Sequence, residues 1–123
     1  MTKTMKVLID LGFDNTITGT KVIEQAVLLA AKDPSLDRSV SERLYIQAAE
    51  AAEASPDSVA RCLRYATQKA MGRDWENRLE KVETKYGIDG LKDEMLLPSG
   101  YTSPKKLILK LAMAMGEDSW TEV

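Results

Sequence analysis

The sequence contains no histidine, and Cys62 is the single cysteine among its 123 residues. One cysteine cannot form an internal disulfide, and without histidine a zinc site would have to rely on carboxylates. We therefore expect no metal and no cofactor. The missing histidine also removes the commonest general base and the usual nucleophile arrangements of hydrolases. Because no Gly-rich phosphate loop is present either, we expect neither an enzyme nor a small-molecule substrate.

Long hydrophobic runs are also absent. Apolar stretches such as Ala26 to Ala31 and Leu107 to Leu109 are far shorter than the roughly 20 residues that a bilayer span needs. The amino terminus reaches a charge at Asp10 and lacks the uninterrupted apolar region and cleavage site of a signal peptide. These absences predict a cytoplasmic protein with no membrane contact.

The composition is that of an ordinary globular protein. Apolar residues make up 44% and charged residues 29%, with a net charge of -2, which argues against disorder. The length suits one hydrophobic core, and no internal repeat or low-complexity tract divides the chain. We expect a single domain over residues 1–123.

Apolar residues recur three and four positions apart in successive segments, which is typical of helices with one buried face. Glycine and proline residues fall between these segments, where they end or start a helix. The pattern predicts an all-α fold, a compact bundle of about six helices. The predicted segments are Thr4–Leu11, Lys21–Lys32, Val40–Glu53, Pro56–Met71, Asp74–Lys85 and Pro104–Met115.

Two helix starts carry specific capping signals. Ser39 and Glu42 have the spacing of a capping box, and Ser55 followed by Pro56 supplies an N-cap hydroxyl and a proline at the first helical position. Only residues 54 and 55 separate this helix from the one before it. The chain must therefore turn sharply, as in a helix-turn-helix.

The helix over residues 56–71 separates apolar from polar side chains. Val59, Leu63, Ala66 and Ala70 share one face, and Ser58, Arg61, Arg64, Tyr65 and Gln68 share the other. Residues 55–73 carry a net charge of +3 in a chain of net charge -2. An arginine fork can donate two hydrogen bonds to the guanine edge in the major groove. The polar face is either a DNA-reading surface or an ordinary solvated helix face, and spacing alone leaves both interpretations open.

Four stretches in this order and spacing resemble a known family. They are residues 8–19 (LIDLGFDNTITG), 24–27 (EQAV), 39–45 (SVSERLY) and 59–66 (VARCLRYA). They are similar to the C-terminal effector domain of the stage-zero sporulation master regulator family, over roughly the first 73 residues. The resemblance implies a six-helix domain that binds double-stranded DNA as a transcription regulator, with the helix over residues 56–71 in the major groove.

The resemblance also implies roles for individual residues. Arg61 and Arg64 match arginines that contact bases, and Tyr65 matches a residue at the same surface. Where this chain has Ser58 and Ala60, the family usually has an arginine and a glutamate, so we expect a changed target sequence. We expect supporting contacts to the DNA backbone from Ser58, Tyr65, Lys69, Arg73, Lys105 and Lys106. The two lysines would compensate for basic residues that the family has near its last helix and that this chain lacks.

The region from Asp74 to Leu97 departs most from the family and contains seven acidic against four basic residues. Its helix is the candidate for the family's subunit contact, which would allow a homodimer on DNA. Trp75 is either a core residue or an interface anchor. In the last helix, Met113 and Met115 are expected to fill the core.

Full-length members of the family carry a phosphorylatable receiver domain before this one, and no receiver is present in the chain. The chain is therefore either a fragment of a longer regulator or a small protein with different regulation. A second function also stays open: a protein-protein interaction module with the same fold that has lost DNA binding. The acidic composition favours that alternative, and the concentrated arginines favour DNA binding.

Overall fold

The computed structural model describes residues 1–33, 42–72, 74–96 and 103–123. In these ranges the chain forms seven α-helices, two 3-10 segments and no strand, beyond one isolated bridge between Thr2 and Glu122. The helices are α1 (Lys3–Asp10), α2 (Thr18–Lys32), α3 (Glu42–Ala51), α4 (Val59–Ala70), α5 (Trp75–Tyr86), α6 (Leu91–Met95) and α7 (Pro104–Met115). The 3-10 segments are Pro56–Ser58 and Gly116–Trp120. The all-α prediction is confirmed.

Helix α2 forms the centre of the bundle. It packs against α1, α3, α4 and α7 and against the C-terminal 3-10 segment. Its buried residues follow the helical period, as predicted: Val22, Ile23, Ala26, Val27 and Ala30. Every other long helix except α5 is therefore held directly against α2.

Helices α3 and α4 form the helix-turn-helix. Helix α3 ends at Ala51, and the chain reverses through Glu53, which has a left-handed φ of 58°. The amide of Ala54 then donates to the Ala49 carbonyl at 2.8 Å, which closes the end of α3. Both helices bury their apolar faces against α2, so the turn between them is fixed by packing as well as by its own hydrogen bonds.

Two predicted helix starts differ from the structure. Helix α2 begins at Thr18 rather than Lys21, because the amides of Thr20 and Lys21 already donate to the Ile17 carbonyl. The Ser55 hydroxyl does not cap the following helix. The Ser55 carbonyl instead accepts hydrogen bonds from the amide and the hydroxyl of Ser58, which tightens the first turn into a 3-10 segment. The predicted capping box includes Ser39, which lies outside the described residues.

In the C-terminal half, the predicted bounds of the last helix are confirmed, but the burial of one methionine and two short helical segments were not predicted correctly. Helix α7 spans the predicted residues and buries Leu107, Ile108, Leu111, Ala112 and Met115. Met113 is 72% exposed, so the expectation that it fills the core is wrong. Its position in α7 points away from the buried stripe. Helix α6 and the 3-10 segment Gly116–Trp120 were not predicted, because each is only five residues long.

Helix α5 packs on the bundle through its buried residues Leu79 and Val82, and contacts at both ends hold it in place. Trp75 at its start is 5% exposed and makes an edge-to-face contact with Phe13, so it is a core residue of this domain. At the other end, Tyr86 and Lys85 both donate to the Asp10 carboxylate, at 2.5 and 2.9 Å. Partial burial raises the pKa of the Asp10 carboxyl, but these hydrogen bonds lower it, and the resulting pKa lies below its usual value.

No helix in the described ranges has both the length and the apolar character that a membrane span requires.

Candidate nucleic-acid interface

Helix α4 has one buried and one exposed face, as its sequence predicts. Val59, Leu63, Ala66, Thr67 and Ala70 are buried. The opposite face carries Arg61, Arg64, Tyr65, Gln68 and Lys69, which are all exposed. The exposed side of α4 is therefore a row of long polar side chains on a helix whose other side is fixed in the core.

Arg61 and Arg64 are free to bind a ligand. Neither side chain makes a hydrogen bond or an ion pair with any other residue of the described ranges. They lie three residues apart, so their Cα atoms differ by about 4.5 Å along the helix axis. Successive base pairs of DNA are separated by about 3.4 Å. Two arginines with this spacing can face two neighbouring base pairs.

Gly19 allows α4 to approach the start of α2 very closely. A Cβ atom at this position would lie 2.1 Å from the Cys62 carbonyl oxygen and 2.8 Å from the Ala66 Cβ atom. The nearest atom belongs to the backbone and cannot turn away. A residue without a side chain is required here, and this contact fixes the position of α4 next to Arg61.

Arg78 of α5 holds the other end of α4. Its Nη1 atom donates to the Ala70 carbonyl at 3.1 Å. This carbonyl lies in the last turn of α4, where no amide of the helix itself can reach it, and it also accepts a hydrogen bond from the Gly72 amide at 2.8 Å. The same guanidinium lies over Gly12, where an added Cβ would be 2.5 Å from Nη1. Arg78 therefore ties the end of α4 to α5 and to the turn after α1.

Replacing Arg78 by methionine is expected to lower the free energy of unfolding by about 1–2 kcal/mol. Methionine keeps much of the apolar stem but removes the charged hydrogen bond, and the partial exposure of Arg78 keeps the loss at the low end for such bonds. Urea denaturation measures the change. Lys81→Met removes an exposed, unpaired charge from the same helix and is expected to cost less than about 0.5 kcal/mol. Equal stability of the two variants would contradict the anchoring role.

Two residues expected to contact the DNA backbone already have partners within the chain. The Ser58 hydroxyl donates to the Ser55 carbonyl at 3.1 Å, and Cys62 Sγ lies 3.8 Å from the oxygen of the same Ser58 hydroxyl. Lys69 Nζ lies 3.9 Å from an oxygen of the Asp14 carboxylate. A phosphate would have to compete with the Ser55 carbonyl for Ser58 and with Asp14 for Lys69.

The remaining predicted contacts lie elsewhere in the chain. Lys105 and Lys106 are exposed in the first turn of α7. Helix α7 also contacts α4. Arg73 lies outside the described residues. Within the described ranges no group of three histidine, cysteine, aspartate or glutamate side chains could hold a metal ion.

Comparison with known families adds to this geometry. Residues 4–92 match a family described as "Sporulation initiation factor Spo0A C terminal". The match covers well over half of the chain. The chain belongs to this family. The Spo0A C-terminal family consists of DNA-binding domains of sporulation transcription regulators and is not a family of enzymes.

The extent of the match bears directly on the site. The matched region includes all of α4 and ends within α6. It is therefore longer than the resemblance found by sequence analysis, which covered roughly the first 73 residues. It ends before α7, so Lys105 and Lys106 lie beyond the matched region. Comparisons with curated proteins and with solved structures give no match.

Proposed function

We propose that this Spo0A-type domain is a sequence-specific regulator that places α4 in the major groove of double-stranded DNA and reads bases through Arg61 and Arg64. The observation that carries the proposal is the exposure of both arginines, unpaired within the described residues, on a helix fixed from behind by α2. An α-helix fits the major groove, and arginine is the side chain best suited to guanine. The helix-turn-helix arrangement presents the second helix in this way.

The side chains near the two arginines suit a supporting role. Tyr65, which is 56% exposed, lies one turn after Arg61 and can donate its hydroxyl to a phosphate. Lys69 follows one further turn along the same face. Ser58 lies at the start of the helix, where its hydroxyl would exchange its present hydrogen bond to the Ser55 carbonyl for one to a phosphate. These contacts would set the register of the domain on DNA without selecting bases.

Lys105 and Lys106 are proposed to contribute charge rather than specificity. Replacing both by glutamine is expected to weaken binding to all duplexes and to make the plot of log K against log salt shallower by about 0.9 for each lost phosphate contact. The ratio of affinities for a preferred and a scrambled duplex is expected to stay unchanged. Fluorescence anisotropy titrations at several salt concentrations measure both quantities.

Lys6→Gln with Lys81→Gln provides the matched control, since it removes two exposed charges from α1 and α5 instead. An unchanged salt slope in the Lys105 and Lys106 variant, or the same loss of slope in the control, would remove these lysines from the interface. Failure of the wild-type domain to bind any duplex at low salt would favour the interaction-module alternative.

A further inference from the structure

Asp14 is an acidic residue next to the proposed DNA-binding face. Its carboxylate lies 3.9 Å from Lys69 Nζ in the last turn of α4. Both side chains are solvent-accessible, at 40% for Asp14 and 53% for Lys69. The pair therefore lies at the surface, where a polyanion can reach the lysine.

The Asp14 carboxylate is held in place by its own turn. One oxygen accepts hydrogen bonds from the amide and from the hydroxyl of Thr16, at 2.9 and 2.6 Å. The other oxygen faces Lys69. The hydrogen bonds from Thr16 lower the pKa of the Asp14 carboxyl, with a smaller contribution from Lys69, so the group is ionised at neutral pH. Asp14 is a fixed negative charge, and Lys69 is the flexible partner.

The position of Lys69 suits a phosphate contact. It lies on the same face as Arg61 and eight residues further along the helix, which corresponds to about 12 Å. The major groove is also about 12 Å wide. With Arg61 at the base edges, a side chain about 12 Å further along α4 would lie near the edge of the groove, where the phosphates are.

We infer that Asp14 limits the affinity of this domain for DNA by holding Lys69 alongside α4, so that a phosphate must displace the carboxylate to bind the lysine. The inference rests on the proposed DNA-binding function and assigns a role to a residue outside the recognition helix. Asp14 does not touch the bases in this account. Asp14 acts through Lys69, and removing the Asp14 carboxylate would free the Lys69 ammonium to bind a DNA phosphate.

The test compares Asp14→Asn with wild type by fluorescence anisotropy on one duplex at several salt concentrations. Asparagine can still accept the hydrogen bonds from Thr16, so the turn is kept while the charge is removed. We expect binding to become about twofold to fivefold tighter at low salt, which corresponds to one exposed ion pair. The plot of log K against log salt should become steeper by up to about 0.9.

Two further variants test whether the effect of Asp14 on affinity depends on Lys69 or only on the loss of one negative charge. Asp118→Asn removes the same charge from another ion pair, in which the exposed Asp118 lies 3.7 Å from the partly buried Lys3, and should leave DNA affinity unchanged. In a Lys69→Met background, Asp14→Asn should have no further effect on DNA affinity. Asp14→Ser, which also retains an acceptor for the Thr16 amide, replaces Asp14→Asn if thermal melting shows that the asparagine variant is poorly folded.

Equal or weaker binding by Asp14→Asn would overturn the inference while leaving the proposed function intact. So would a gain in affinity that persists without Lys69, or an equal gain in Asp118→Asn. Absence of duplex binding by wild type and all variants at low salt would overturn the proposed function together with the inference.

Discussion

Replacing Arg61 and Arg64 together by alanine is expected to abolish the preference of the domain for its target sequence. Each good bidentate contact to a base contributes about 1–3 kcal/mol of discrimination, so the double variant should lose about 2–6 kcal/mol if the two contacts act independently. The measured quantity is the ratio of dissociation constants for the preferred and a scrambled duplex, obtained by anisotropy at one fixed salt concentration.

Lysine at both positions separates charge from base reading. The variant Arg61→Lys with Arg64→Lys keeps both positive charges but loses the planar fork that donates two hydrogen bonds to guanine. It should therefore keep the salt dependence of wild type and lose most of the discrimination. A lysine variant that discriminates as well as wild type would show that discrimination does not depend on the planar fork of arginine.

Replacing Gly19 by alanine is expected to produce the largest loss of stability of any single substitution considered for this domain. The new Cβ atom would lie 2.1 Å from the Cys62 carbonyl oxygen, and backbone on both sides would have to move. Overpacking of this kind costs about 1–3 kcal/mol and occasionally more. Urea denaturation should give a lower midpoint for the variant than for wild type. Because the contact at Gly19 fixes α4 against α2, DNA binding by α4 should weaken as well.

Gly72→Ala is the matched control. Among the described residues, a Cβ atom at Gly72 would meet only Arg78 Nη1, at the ordinary contact distance of 3.9 Å. Alanine there should be neutral or slightly stabilising, because it restricts the unfolded chain. If Gly19→Ala and Gly72→Ala are equally stable, the close approach of α2 and α4 does not exist in solution.

Hydrophobic periodicity predicted the parts of the fold that depend on one buried helix face. The bounds of α7 and the buried stripes of α2 and α4 are examples. It missed the first turn of α2 because residues 18–20 are polar or glycine, although Gly19 and Thr20 are buried. It also missed α6, which is too short to show a period. Met113 shows the reverse error, since an apolar residue in an amphipathic helix was assigned to the core without regard to its face.

The candidate site was predictable only where it lies on one helix. The exposed arginines follow from the spacing within α4, and the resemblance to the family gave them a role. The pairing of Asp14 with Lys69 and of Arg78 with the Ala70 carbonyl joins residues from different elements. No spacing rule within a single helix relates such partners, because one member of each pair lies outside α4: Asp14 in the turn before α2, and Arg78 in α5.

The limited basic charge of the domain is consistent with this site. A chain of net charge -2 cannot rely on strong nonspecific attraction to DNA, because each neutralised phosphate contributes separately to affinity. Its specific binding should therefore depend more on α4 and less on salt than that of a strongly basic domain. For the same reason, a single acidic residue next to the interface, such as Asp14, is expected to have a measurable effect on affinity.

Selection of duplexes from a random library by the wild-type domain tests whether α4 reads DNA through Arg61 and Arg64. We expect enrichment of a short motif with guanines at neighbouring base pairs, and loss of that enrichment when the selection is repeated with the lysine double variant. Recovery of unenriched sequences by wild type at low salt, or of the same motif by both proteins, would contradict it.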